Sequence, residues 1–193
     1  WSGLFSSLTI YLIGAGYLGY FYLPKHQESH RRIREISVFK EFGTLMIDSK
    51  FVLPAMFKWL PTTLYLASAT SLPFIIQLEL NLSAQEYGVA MTIPAIGLIV
   101  GTSLAKALHL RLSYPAQILL FMPLLFLSGF GFYLLPFSLV NILLSYSLFM
   151  ICAGAFYTHS LHLLIEPFAD KTGSVNALCG AVDMLFFSSL AVL

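Results

Sequence analysis

Charged residues are scarce in this sequence. Asp, Glu, Lys and Arg make up 10% of its 193 residues, against about a quarter in ordinary soluble domains. Hydrophobic residues reach 58%, and the mean hydropathy is +0.83. This composition excludes a typical soluble domain and predicts an integral membrane protein. The net charge of +1 provides no broad basic surface, so we expect no nucleic-acid partner.

Cysteines and catalytic motifs are also few. Cys152 and Cys179 lie in apolar runs without a metal-binding spacing. The sequence contains no nucleophile elbow, phosphate-binding glycine loop, His-Glu-x-x-His or dinucleotide fingerprint. His159 and His162, with Glu166 one turn further on, lack a third ligand at a diagnostic spacing, so we interpret the histidines as interfacial polar groups. We therefore predict no enzyme activity, no cofactor and no bound metal.

The sequence also lacks an initiating methionine and a signal peptide. It begins at Trp1, no basic segment with a cleavage site precedes the first apolar run, and it stops within the apolar stretch SSLAVL. We expect it to be a fragment of a longer protein. The remaining helices of that full-length chain would then be partners of the part seen here.

What the sequence has instead is long apolar runs. A bilayer core about 30 Å thick requires about 20 apolar residues in a helix. Strand-like alternation is absent, and the runs are continuously apolar, so we predict an all-α integral membrane protein with six transmembrane helices. The six predicted spans are 4–23, 51–76, 87–108, about 115–135, about 138–160, and about 173 to the chain end.

Basic residues recur on alternate loops between these spans. They lie in loops 24–50, 109–114 and 161–172, whereas the loop that contains Glu79 and Glu86 has neither Lys nor Arg. The positive-inside rule therefore predicts that the three basic loops face the cytoplasm. Apolar residues alternate with the charges of loop 24–50, so part of this loop would form an amphipathic helix on the membrane surface or, alternatively, a solvated tether.

Asp183 is the most informative residue. It lies about 15 Å into the last span, near the bilayer centre. An ionised Asp there costs about 2.5 to 3.5 kcal/mol or more, so it should face the protein interior, a partner or water. Asn176, Gly180, Asp183 and Phe187 share one helical face, which predicts an inward polar stripe. The alternatives are a group that exchanges protons or binds substrate, and a paired acid that serves only helix assembly.

Lys58 is the second charge within a predicted span. It lies about 10 Å beyond the start of its span, where its long stem allows the ammonium to reach the membrane interface. We interpret Lys58 as such a snorkelling side chain. The alternative is that Lys58 faces a cavity and pairs with Asp183 or with an anionic part of a substrate.

Three stretches resemble a known transporter family. Residues 68–105, SATSLPFIIQLELNLSAQEYGVAMTIPAIGLIVGTSLA, are similar to the seventh and eighth spans of the Bcr/CflA-type branch of the major facilitator superfamily. Residues 170–185, DKTGSVNALCGAVDML, resemble the opening of its eleventh span, and YLPKHQESHRR at 22–32 resembles the exit from its sixth. The departures are Asp183, where glutamine is expected, and Lys58.

The resemblance implies a domain organisation and a function. Residues 1–23 would be the last helix of the N-terminal half, 24–50 the cytoplasmic linker, and 51–193 the C-terminal half without its last helix. This would be about half of a twelve-helix fold in the cell inner membrane. The implied activity is proton-coupled efflux of small amphipathic molecules by alternating access, with protons and a small-molecule substrate as partners.

We expect Asp183, Asn176 and Lys58 to line the substrate and proton pathway of this transporter. Asp183 would relay a proton or bind a cationic or hydrogen-bonding substrate. Two other functions fit the same residues. One is a non-transporting membrane scaffold with a dry interior, and the other is a major facilitator carrier that imports another solute.

Overall fold

The computed structural model describes residues 38–191, together with Ser6, Thr9, Ile10, Tyr11, Ile13, Gly14 and Tyr17. The chain divides into two compact units, Trp1–Ile36 and Ser37–Leu193. The predicted span 4–23 and the predicted linker before residue 38 therefore lie largely outside the described residues. The helices between residues 38 and 191 all belong to the second unit.

Every regular element between residues 38 and 191 is helical, and no strand occurs in that range. The all-α prediction is therefore confirmed for this part of the chain. A short 3-10 helix, Glu166–Lys171, joins the last two α-helices. The α-helices are α1 (Val38–Ile47), α2 (Ser49–Glu79), α3 (Ala84–His109), α4 (Tyr114–Leu134), α5 (Leu139–Ile165) and α6 (Thr172–Ala191).

Three helical stretches among the described residues are long and apolar enough to cross a membrane. They are Ala84–His109, Tyr114–Leu134 and Leu139–Phe186, and the last contains both α5 and most of α6. These stretches support a membrane protein. The predicted count of six spans is not confirmed, because α2 is not among the three and the first span lies largely outside the described residues.

The predicted linker 24–50 is partly helical. Its end contains α1, in which Leu45 is buried against residues of α2 and α6. Asp48 then caps α2, since its carboxylate accepts a hydrogen bond of 2.9 Å from the Lys50 amide. Residues 38–47 of this loop are therefore helical, whereas a position of this helix on the membrane surface stays a prediction.

α2 is one continuous helix of 31 residues although Pro54, Pro61 and Pro73 lie inside it. Each proline removes one backbone donor from the helix. At Pro54 another helix adds a contact, because the Ser160 hydroxyl of α5 donates to the Pro54 carbonyl over 2.8 Å. This bond links the last third of α5 to the first half of α2.

α3 and α5 pack closely through glycines. A side chain at Gly101 would overlap the Ile151 backbone, and one at Gly154 would lie 2.5 Å from the Leu98 carbonyl oxygen. A Cβ at Gly97 would lie 3.0 Å from the Ser147 carbonyl oxygen. Gly97 and Gly101 thus let α3 approach α5 closely, because neither has a side chain to separate the helices.

Candidate functional site

Asp183 and Lys58 form an ion pair inside the bundle. Lys58 Nζ donates to Asp183 Oδ2 over 2.5 Å, and the two side chains are 11% (Lys58) and 7% (Asp183) exposed. Lys58 lies in α2 and Asp183 in α6, each about 13 to 17 Å from the first residue of its helix. The structure therefore brings together two of the three predicted site residues.

This position of Lys58 differs from the snorkelling interpretation. The ammonium group turns towards the carboxylate of a neighbouring helix and not towards an end of α2. A charged side chain in an apolar interior is stabilised most by a close opposite charge. The pairing alternative is therefore the one observed.

The apolar face of α6 explains why Asp183 points at α2. Four buried residues recur on this face at spacings of three or four, and Asp183 lies one turn after the third of them. They pack against the fully buried Ala55 and against Trp59 of α2. The four are Val175, Leu178, Cys179 and Val182.

The carboxylate of Asp183 is only half satisfied. Its Oδ1 atom is buried and has no hydrogen-bond partner among the described residues, and the same is true of Trp59 Nε1, which follows Lys58 in the chain. Buried polar atoms are normally paired. Oδ1 can therefore accept a hydrogen bond or a proton, and a proton there would cancel the negative charge that holds Lys58.

Asn176 is not part of this pair. It is exposed on α6 and lies about 10 Å along the helix axis from Asp183. Gly180, between them, is partly buried, and the side chain of Phe187 lies outside the described residues. The predicted polar stripe therefore faces inward at Asp183 but not at Asn176.

The histidines of α5 have different environments. His162 is half exposed, and its Nε2 lies 3.4 Å from Glu166 Oε2. His159 is 1% exposed, with Tyr114 of α4 edge-on at 5.5 Å, and neither of its ring nitrogens has a hydrogen-bond partner in residues 38–191. The interfacial interpretation therefore does not fit His159. Within the described residues no group of three or more His, Cys, Asp or Glu side chains could hold a metal ion.

Sequence reasoning missed a crevice between α2, α4 and α5. Its volume is about 770 Å³, and its lining includes Ser68, Tyr146 and Phe149. The Ser68 and Tyr146 hydroxyl oxygens lie 2.7 Å apart across α2 and α5. The only signal in the sequence was the run of small hydroxyl residues in the second half of α2, which does not reveal a partner on another helix.

No protein family model, curated protein or solved structure matches this chain. The resemblance to the major facilitator superfamily therefore stays a prediction.

Proposed function

We propose that this chain forms part of a secondary active transporter, which exports small amphipathic molecules in exchange for protons by alternating access. The observation that carries the proposal is the buried Lys58–Asp183 pair, with one carboxylate oxygen unpartnered. An ionisable pair inside a membrane bundle is costly, and such pairs commonly mark ion or substrate pathways. The proposal also includes a major facilitator fold, with six spans in this chain. The protein would lie in the cell inner membrane, with loops 24–50, 109–114 and 161–172 in the cytoplasm.

The pair offers a means of coupling. When Asp183 takes up a proton, the attraction to Lys58 disappears and a buried ammonium is left without its counter-charge. Removing one partner of a buried pair typically costs about 3 to 5 kcal/mol. The bundle would relieve this cost by letting Lys58 reach water or another acceptor, which requires α2 and α6 to move apart. Proton binding and helix rearrangement would thus be linked.

A non-transporting scaffold is the second candidate. The ion pair favours it in one respect, because Lys58 and Asp183 connect α2 to α6. A purely structural acid would be expected to have both carboxylate oxygens hydrogen-bonded, but Oδ1 of Asp183 has no partner among the described residues. We therefore prefer the transporter.

The test is proton-driven efflux by the full-length protein in inverted membrane vesicles, with ethidium as the probe. We expect Asp183→Asn to remove the dependence of efflux on the proton gradient. Asp170→Asn is the matched control, because Asp170 is an exposed carboxylate outside the pair. Lys58→Gln is the second test variant, and Lys171→Gln is its matched control, because Lys171 is exposed and lies outside the pair.

Unchanged proton-driven efflux in Asp183→Asn would refute the coupling role. A wild-type protein that is folded, but exports neither ethidium nor any of a panel of amphipathic dyes and exchanges no protons, would favour the scaffold. Loss of efflux in Asp170→Asn to the same extent would show that the effect is not specific to the pair.

A further inference from the structure

The crevice between α2, α4 and α5 has the size and surface of a ligand site. Its volume of about 770 Å³ is within the range typical of small-molecule sites, about 300 to 1,000 Å³. α4 contributes the aromatic side chains of Phe126, Phe130, Phe132 and Tyr133. No Lys, Arg, His, Asp or Glu is among the residues that line it. The crevice is also formed by a different set of helices from the α2–α6 pair.

The hydrogen bonds at Ser68 fix the direction of the Tyr146 hydroxyl. Ser68 Oγ lies 2.8 Å from the Tyr65 carbonyl oxygen, which can only accept, and 2.7 Å from Tyr146 Oη. A serine hydroxyl has one proton and two lone pairs. Both contacts are satisfied when Ser68 donates to Tyr65 and Tyr146 donates to Ser68. The lone pairs of Tyr146 then remain available to an incoming donor.

Two other serine hydroxyls of the crevice have also used their protons. Ser71 Oγ donates to the Ala67 carbonyl over 3.0 Å, and Ser128 Oγ donates to the Leu125 carbonyl over 2.6 Å. Each oxygen keeps lone pairs but has no second proton. These two serines, like Ser68 and Tyr146, can therefore accept hydrogen bonds but cannot donate them. Tyr133 also lines the crevice, but its side chain is largely exposed and its hydroxyl can still donate.

Tyr146 is held firmly in this position. Its ring stacks on Phe149 with centroids 5.8 Å apart and an interplanar angle of 10°, and Phe132 meets it edge-on at 6.4 Å. Stacked and edge-to-face contacts of this kind stabilise an aromatic core. The acceptor is thus fixed beside an apolar, aromatic wall.

We propose that this crevice binds a mostly apolar, ring-containing small molecule with one hydrogen-bond donor, such as a phenol or an alcohol, whose O–H meets the Tyr146 hydroxyl oxygen. Beside Tyr146 and the serines, an acceptor-only molecule or an anion would leave its own polar atoms unpaired against these oxygens, which is unfavourable. A lipid acyl chain would fill the space without using the acceptor. The inference goes beyond the proposed transport, since binding here does not require the ligand to be exported.

The test compares 2-naphthol with 2-methoxynaphthalene, which have the same ring system but differ in the donor. Equilibrium binding is measured by probe fluorescence with the full-length protein in nanodiscs, and partition into empty nanodiscs is subtracted. We expect saturable binding of 2-naphthol, roughly five-fold tighter than that of its methyl ether. Equal binding of the two probes would indicate a site that accepts any apolar chain and would overturn the proposal.

Two glycines provide matched variants for the location. A Cβ at Gly129, which lines the crevice, or at Gly88, which does not, meets no atom within 4 Å, so both positions tolerate a side chain locally. Gly129→Phe places a ring in the crevice and is expected to abolish saturable binding, whereas Gly88→Phe keeps it. Binding that survives Gly129→Phe would overturn the assignment to this crevice.

The donor contact is tested by Ser68→Ala/Tyr146→Phe. The double change is needed because Tyr146→Phe alone frees the Ser68 oxygen to accept in its place. We expect the preference for 2-naphthol over its ether to fall to about one while the apolar part of the binding remains. A preference that stays at its wild-type value in this folded variant would refute the role of Tyr146. None of these results depends on transport, so the two proposals fail separately.

Discussion

At the scale of single residues, the Lys58–Asp183 pair combines two charges that would each be unfavourable alone in an apolar interior. Lys58 Nζ and Asp183 Oδ2 are 2.5 Å apart within a cluster of apolar side chains that includes Trp59 and Cys179. Desolvation of two charges offsets much of their attraction, so the net contribution of such a pair to stability is small. Loss of one partner should be far more harmful than loss of both.

We expect Asp183→Asn and Lys58→Gln each to lower the free energy of unfolding by about 3 kcal/mol. The apolar double variant Lys58→Met/Asp183→Leu should lie within about 1 to 2 kcal/mol of the wild type. Thermal unfolding in detergent micelles, followed by circular dichroism, measures these differences. If the two single losses simply added in the double variant, Lys58 and Asp183 would not be energetically coupled.

The sequence singled out Asp183 as an acid within a membrane span, but it did not establish Lys58 as its partner. The depth of an acid along an apolar run is readable from residue counts, which is why Asp183 could be singled out. The distance between Lys58 and Asp183 depends on which faces of α2 and α6 meet, and a single sequence carries no such information. The burial of His159 was missed for the same reason, since it depends on Tyr114 of another helix.

At the scale of helices, α3 and α5 come into direct backbone contact at their glycines. Gly101 faces the backbone of Ile151, and Gly154 faces the Leu98 carbonyl. The helical runs themselves were predictable, because long apolar runs have a defined minimum length in a bilayer. The predicted boundaries of spans 87–108 and 115–135 lie within about three residues of α3 and α4.

We expect Gly101→Ala and Gly154→Ala to destabilise the protein by about 1 to 3 kcal/mol each, because the added methyl group forces the two helices apart. Gly129→Ala is the matched control, since its Cβ meets no atom within 4 Å. The melting temperatures of the three variants, measured in the same detergent, show whether Gly101→Ala and Gly154→Ala are less stable than Gly129→Ala. A Gly101→Ala variant as stable as Gly129→Ala would contradict the close contact.

At the scale of the whole molecule, the orientation in the membrane depends on where the charges lie between the helices. Lys106, His109 and Arg111 lie at the junction of α3 and α4, and Lys171 lies at the start of α6. The positive-inside rule predicts that these two connections lie on the cytoplasmic side. The count of six spans stays a prediction. α2 carries Lys58 among many hydroxyl residues and has a weaker apolar signal than its neighbours, and it is not among the three candidate spans of the described residues.

Cysteine labelling tests this orientation. In a Cys152→Ser/Cys179→Ser background of the full-length protein, Gln85→Cys should react with an impermeant maleimide in intact cells. Leu110→Cys and Asp170→Cys should react only after the membrane is opened, because they lie in the predicted cytoplasmic loops; all three positions are exposed. Labelling of Leu110→Cys but not Gln85→Cys in intact cells would reverse the topology. Equal labelling of Gln85→Cys and Leu110→Cys would show that α3, which separates them, does not cross the membrane.

The glycine contact between α3 and α5 also limits how the molecule can change shape. Backbone atoms that touch without intervening side chains have no flexible groups to absorb sliding, so these two helices should travel as one rigid body. A change of shape would then move α2, α4 and α6, which form the ion pair and two walls of the crevice, against this pair of helices. For α2, this movement would break its hydrogen bonds to Ser160 and Tyr146 of α5. In any conformational cycle, α3 and α5 would therefore keep their positions relative to each other while the other helices move around them.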